Sequence, residues 1–249
     1  MEKVTVTIVA LNEEDYIGDC LESVSWADEI IVSDSGSTDR TVEICRSHGA
    51  KVFSDKWLGF GGQKNLCAGR AAHGWILNLD ADERVTPELK SEIRDVLEGP
   101  DKDGYHIPRK NYLGKVWIRH CWYPDYTLRL YRKERGAYTN KCHASVVVKG
   151  PGGRLKNPLV HLSYRDITDY MERLQKYSTL AAKDMLEEGR EAAVADLVLR
   201  PQAAFLKMYV MKRGFLDGTL GFILSLLNAY YTLAKYSKLW EMKRGKAAS

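Results

Sequence analysis

The sequence predicts an α/β domain on a mostly parallel sheet with antiparallel additions, followed by a helical, basic C-terminal segment. Three observations carry this. β-branched runs alternate with helix-period segments before residue 80, polar clusters close those runs, and positive charge gathers after residue 200.

The first run, Lys3 to Leu11, is rich in β-branched residues and ends at Asn12-Glu13-Glu14. From Asp15 to Trp26, apolar Tyr16, Ile17, Cys20, Leu21 and Val24 fall at helical spacing. Glu29 to Ser33 reads as a second strand and opens into Asp34-Ser35-Gly36-Ser37-Thr38-Asp39. Thr38 suits the N-cap of a helix running through His48, with Val42 and Cys45 on its apolar face. Lys51 to Phe53 is a short third strand. Gly59, Gly61 and Gly62 then read as a turn before a helix over Gln63 to Ala72. Trp75 to Leu79 is an apolar run with the composition of a buried strand, and Thr86-Pro87-Glu88 is a good helix start.

Ligands of parallel α/β sheets bind beyond the carboxyl ends of the strands. Three polar clusters fall there: Asn12 to Glu14, Asp34 to Asp39, and Asp80 to Glu83. No Gly-x-Gly-x-x-Gly follows the first strand and no Walker A motif is present, which disfavours a dinucleotide site and removes a P-loop. What remains is a nucleotide site of acidic side chains and helix N-termini. Asp80 and Asp82 put dense negative charge where a strand leaves the core. A solvated turn is the plain reading. A hard divalent cation, Mn or Mg, bridging a diphosphate is the chemical one.

The ordered runs VTIVALNEEDYIGDCLESV, IIVSDSGSTDRTVEI and WILNLDADERVTPEL resemble a family 2 glycosyltransferase of GT-A fold, a Rossmann-like nucleotide-diphospho-sugar transferase architecture. The likeness is strongest to lipopolysaccharide-core β-1,4-glucosyltransferases. It continues through YPDYTLRLYRK, GGRLKNPLVHLSY and FLKMYVMKRGFLDGTLGF. The resemblance implies that Ala10, Leu11, Asn12, Glu13 and Asp34 hold base and ribose. It puts Lys64 near the diphosphate, and Asp80, Asp82 and the late His161 on the metal. It further implies a UDP-sugar donor and a lipid-linked glycan acceptor. A histidine in an apolar strand is otherwise an ordinary core residue.

The segment from 103 to 162 carries short β-like runs and many cations: Arg109, Lys110, Arg119, Arg129, Arg132, Lys133 and Arg135. Most of these read as a solvated face. Arg129, among alternating apolar neighbours, is expected to point into the site. Inverting transfer needs a general base. Relatives carry His-Glu where this chain reads His143-Ala144, and alanine cannot take a proton. Asp125 is then the best base among the residues present. An inactive sugar-nucleotide-binding scaffold, or transfer to another envelope glycan or polyprenyl phosphate, stays open.

The expected division is 1–164 for the catalytic domain and 165–249 for a helical segment, with Asp166 to Glu188 as a long helix. Residues 200–249 carry nine Lys/Arg against Asp217 and Glu241, a net +7 in a chain of net +4. Their core, Gly214 to Tyr236, is apolar but interrupted by Asp217 and Asn228, too short for a spanning helix. An amphipathic segment in the membrane interface is expected, with a hairpin packed on the protein as the plain alternative. Nucleic acid is disfavoured as a partner, because the charges are spaced by apolar residues. Five cysteines without framework spacing, and a first strand beginning at Lys3 with no secretory signal before it, fit a cytoplasmic protein peripheral on the inner membrane face.

Overall fold

The computed structural model describes residues 1–139 and 145–247. The chain divides into two compact units, Met1–Lys110 with Asp125–Leu162, and Asn111–Pro124 with the chain from Ser163 onward.

The first unit begins with a βα alternation: β1 (Val4–Ala10), α1 (Ile17–Ser23), β2 (Glu29–Asp34), α2 (Thr41–Ser47), β3 (Lys51–Ser54), α3 (Gly59–Gly69) and β4 (Trp75–Asp80). There follow β5 (Glu83–Val85), α4 (Pro87–Glu98), β6 (Gly104–Leu113), β7 (Val116–Trp117) and β8 (Asp125–Arg132). Next come β9 (Gly136–Tyr138), β10 (Val146–Val148), β11 (Gly152–Arg154) and β12 (Leu159–Tyr164). The main sheet runs β3-β2-β1-β4-β8-β6-β12-β5. Its first four strands are mutually parallel. β8 then pairs antiparallel with β4, and β6 antiparallel with β8. This is the mostly parallel sheet with antiparallel additions that the alternation predicts.

β1 lies between β2 and β4 and is buried on both faces, which is why it reads as a β-branched run. Its Val4, Val6 and Ile8 join the core, while Thr5 Oγ1 donates to Glu29 at 2.8 Å and Thr7 accepts from Asn78 Nδ2. α4 starts where Thr86-Pro87 predicts: Thr86 Oγ1 accepts from the Leu89 N–H, and Leu89, Ile93 and Leu97 bury one face.

Two starts differ from expectation. Thr38 does not cap α2: its N–H and its Oγ1 both donate to Asn12 Oδ1, at 2.8 and 3.4 Å, and the helix opens only at Thr41, whose N–H and Oγ1 both donate to Asp39. The glycines at 59, 61 and 62 lie within α3 rather than before it. Gln63 holds that first turn, accepting from the Leu58 N–H and donating to Ser33 Oγ. Cys20, Cys45, Cys67 and Cys121 are buried thiols, and burial pushes Cys45 up to about 11 and Cys67 and Cys121 up to about 12. They are packing residues, not nucleophiles.

The second unit holds α5 (Ile167–Glu187), α6 (Val194–Leu206), a π turn (Lys207–Met211), a 3-10 turn (Gly214–Asp217) and α7 (Gly218–Ala247). Asp166 caps α5 by accepting from the Asp169 N–H. Tyr236 and Leu239 of α7 are buried with Ala182 and Met185 of α5. Among the described residues, no helix is long and apolar enough to cross a membrane.

Candidate active site

Parallel register lines up the carboxyl ends of the central strands. Ala10 of β1 pairs with Asp34 of β2, and Val9 pairs with Asp80 of β4. The loops leaving these ends are tied to one another. Asn12 takes a left-handed conformation, φ 55°, which asparagine adopts more readily than most residues. Its N–H donates to Ser37 Oγ at 2.9 Å and its Oδ1 accepts from Thr38. The Glu13 N–H donates to Thr41 Oγ1, and the Glu14 N–H donates to Asp39. Leu11 stands exposed at the tip. Asp34 spends its carboxylate on its own loop, accepting from the Gly36 and Ser37 N–H groups and from Ser37 Oγ.

The centre of the site is an alternating chain of charges. Lys64 Nζ donates to Asp80 Oδ1 at 2.6 Å, and Arg129 Nη2 donates to Asp80 Oδ2 at 2.6 Å. The same Arg129 nitrogen reaches Glu83 Oε1 at 2.5 Å. Arg109 Nη1 lies 3.3 Å from that Glu83 oxygen, and its Nη2 and Nε donate to Asp125 Oδ2 at 2.5 and 3.0 Å. Lys64, Asp80, Arg129, Glu83, Arg109 and Asp125 thus alternate in sign. The Asp80 N–H closes the turn on Glu83 Oε2 at 3.0 Å. Asn78 Oδ1 accepts from Tyr138 Oη at 2.7 Å beside Arg129, and the Lys64 ammonium lies over the Tyr138 ring.

Burial alone would push the Asp80 carboxyl up, but Arg129 and Lys64 hold it well below the usual carboxylate range. Burial likewise works against the Arg129 charge, and Asp80 and Glu83 more than restore it. Asp80 is therefore ionised and gripped.

Asp82 has a different neighbour. Its Oδ2 lies 3.5 Å from His161 Nε2, and its Oδ1 is buried with no hydrogen-bond partner among the described residues. The antiparallel pairing of β12 with β5 brings His161 there, opposite Glu83. Among the described residues no three His, Cys, Asp or Glu side chains form a ready-made metal cage. An orphaned carboxylate oxygen beside an imidazole nonetheless has the donor chemistry that would suit a hard divalent cation.

Besides Asp125, ten of the other eleven sequence-derived site residues stand at the strand ends or in this cluster: Ala10, Leu11, Asn12, Glu13, Asp34, Lys64, Asp80, Asp82, Arg129 and His161. Ala144 lies outside the described residues. Two members of the network were not foreseen. Arg109 reads in sequence as one of several surface cations, and Glu83 as the tail of an acidic turn, yet Glu83 is fully buried. Their only sequence signal is that an acidic residue in a buried strand needs a cation nearby.

Residues 5–149, which include the strand ends and every member of the charge chain, match the family model described as glycosyl transferase family 2. A lipopolysaccharide core biosynthesis glycosyltransferase, LpsC of Rhizobium meliloti (strain 1021), is 30% identical over 254 residues, covering 96% of this chain and 93% of that protein. An uncharacterized glycosyltransferase of Rickettsia typhi (strain ATCC VR-144 / Wilmington) is 31% identical, covering 97% of this chain and 88% of that one. Among solved structures, S. aureus TarS 1-349 shares the fold, with a TM-score of 0.50 at 16% identity over 98% of this chain and 92% of that one. The parallel half-sheet ending in paired aspartates and the full-length likeness agree: the chain belongs to glycosyl transferase family 2 and is a glycosyltransferase of GT-A type.

Proposed function

We propose that this glycosyltransferase moves a hexose, glucose from UDP-glucose in the first instance, with inversion onto a lipid-linked acceptor such as a lipopolysaccharide inner-core heptose. The observation that carries the reading is the Asp80 carboxylate gripped by Lys64 and Arg129 at the end of β4. The name of the Rhizobium relative supports the acceptor class. The protein would work peripherally at the inner face of the cytoplasmic membrane, with residues 1–164 catalytic and 165–249 serving the approach to the lipid-linked acceptor.

In this reading Ala10 to Glu13 and Asp34 hold the base and ribose. Lys64 and Arg129 set positive charge beside the leaving diphosphate, where preorganised charge lowers the barrier most. Asp82 and His161, with Asp80 beside them, would hold a divalent cation, Mn or Mg, which supplies further positive charge against the diphosphate when bound. The acceptor hydroxyl attacks the anomeric carbon from the face opposite the diphosphate. Its proton passes to a carboxylate, for which Asp125 is the candidate, and the bond to the diphosphate oxygen breaks with its electron pair.

Ala144 favours a second reading, a chain that binds the sugar nucleotide without turnover. The experiment that separates the two is calorimetry of UDP-glucose with and without Mn²⁺ on the parent chain and on Ala144→Glu, then turnover with a heptose-containing core acceptor. Turnover by the parent supports Asp125 as base. Turnover by Ala144→Glu alone makes the parent a binding protein. Binding by neither form overturns the donor assignment. Transfer to another envelope glycan or a polyprenyl phosphate is distinguished by substituting that acceptor in the same assay.

A further inference from the structure

The corner between α6 and α7 exposes apolar side chains that nothing in the second unit covers. Met211 is 77% exposed, and Leu206, Val210, Phe215 and Leu216 are each about half exposed or more. Lys207, Lys212 and Arg213 are exposed among them. From Leu197 to Leu216 the chain carries four cations and no acidic residue.

The corner is built rather than loose. Behind it, Phe205, Tyr209 and Phe222 pack ring against ring. Arg213 turns the chain in a left-handed conformation, φ 58°. Gly214 is buried so closely that a Cβ there would meet Met208 O at 2.8 Å. Asp217 then pins the turn, accepting from the N–H groups of Arg119, His120 and Cys121 and lying 2.9 Å from His120 Nδ1. A fixed turn holding large apolar groups in water marks a contact surface.

Charge selects the occupant. Two copies docked through this corner would bring their own Lys207, Lys212 and Arg213 together, whereas an anionic lipid surface meets those cations with phosphates and takes up the apolar groups between them. We propose that the Leu206–Leu216 corner is a wedge that enters the headgroup layer of an anionic bilayer. Leu206, Val210, Met211, Phe215 and Leu216 bury in the interface, and Lys207, Lys212 and Arg213 sit on lipid phosphates. The wedge deepens the lipid-linked-acceptor reading above and rests on it for its purpose. It places the contact at one corner instead of along the whole Gly214 to Tyr236 segment, where Leu224 and Tyr236 mark a buried face of α7.

The test is co-sedimentation of the full chain with vesicles of phosphatidylcholine alone and of equal parts phosphatidylcholine and phosphatidylglycerol. Two double variants are compared with the parent, Met211→Asp with Phe215→Ser, and Lys212→Glu with Arg213→Glu. The parent is expected to bind the phosphatidylglycerol vesicles selectively, and each variant to lose roughly tenfold or more of that binding. Circular dichroism and calorimetry of UDP-glucose without vesicles confirm that the variants fold. Absence of phosphatidylglycerol-dependent binding by the parent, or equal binding by folded variants, overturns the wedge. So does a concentration-dependent dimer of the parent that both variants abolish, which would assign the corner to a second copy. Donor binding retained while vesicle binding fails sinks the wedge alone; the reverse sinks the UDP-glucose donor assignment alone.

Discussion

Arg129 and Glu83 form a buried ion pair, Nη2 to Oε1 at 2.5 Å, with side chains 6% and 0% exposed. Glu83 also accepts from Arg109 and from the Asp80 N–H, so one carboxylate holds both guanidinium groups and the turn between the paired aspartates. Removing its charge leaves Arg129 buried with Asp80 alone. Loss of one partner of such a pair costs about 3–5 kcal/mol. Glu83→Gln is therefore expected to lower unfolding free energy by about that amount, read from urea denaturation. A change within about 0.5 kcal/mol would mean that the pair is solvent-relaxed and the network not a structural unit.

Asp125 has two possible employments, counter-ion to Arg109 or proton acceptor, and kinetics separates them. As base, its loss removes general catalysis worth about 10²–10⁴-fold, so Asp125→Asn is expected to cut turnover by that factor with UDP-glucose affinity unchanged. If Asp125→Asn keeps its turnover but loses stability, Asp125 serves Arg109 and the proton goes elsewhere.

Asp82 and His161 make a separate case, because the buried Asp82 oxygen lacks a hydrogen-bond partner among the described residues. Mn²⁺ is expected to strengthen UDP-glucose binding by the parent. Asp82→Asn and His161→Ala are each expected to lose roughly tenfold or more of that enhancement, since even outer-shell partners of metal ligands are worth about 10–100-fold. Equal Mn²⁺ enhancement in all three chains would place the metal on other residues.

The parallel half of the sheet is legible because its strands and helices have different periods and each strand end is punctuated by polar residues. Asp80 is legible for the same reason, standing where an apolar run stops. Arg109 and Glu83 are not. Their meeting depends on β6 pairing with β8 in the register that sets Arg109 opposite Asp125, and on β12 reaching β5 so that His161 faces Glu83. Pairings between segments so far apart leave no local pattern. Thr38 shows the reverse failure: it has the chemistry of an N-cap, but Asn12, distant in sequence, holds its N–H and its Oγ1, and the helix opens three residues later. Local propensity yields to tertiary hydrogen bonding there.

Asn12 accordingly supports a prediction of its own. A β-branched residue tolerates φ 55° poorly, and Asn12→Val also removes the acceptor for Thr38. The left-handed conformation costs about 1–2 kcal/mol in an ordinary residue, so Asn12→Val is expected to lower stability by at least that much and weaken UDP binding. Asn12→Gly relieves the strain but not the lost bond, and should fall between the two. Equal melting temperatures for all three chains would show that the two strand-end loops are not coupled through this residue.

Asp217 supplies the pH-dependent prediction. Burial alone would raise its carboxyl, but the N–H groups of Cys121 and His120 and the His120 ring hold it below its ordinary value. A carboxylate whose folded pKa is depressed contributes stability that is fully present above the unfolded value, about 3.9, and lost as pH falls through the folded one. Asp217→Asn is thus expected to cost about 1–3 kcal/mol at neutral pH, the worth of hydrogen bonds to a charged acceptor. The gap between variant and parent should close as pH falls below about 4. Chemical denaturation across that range reads both. A gap independent of pH would mean that the carboxamide loses shape complementarity alone and that the Asp217 charge does not anchor the turn.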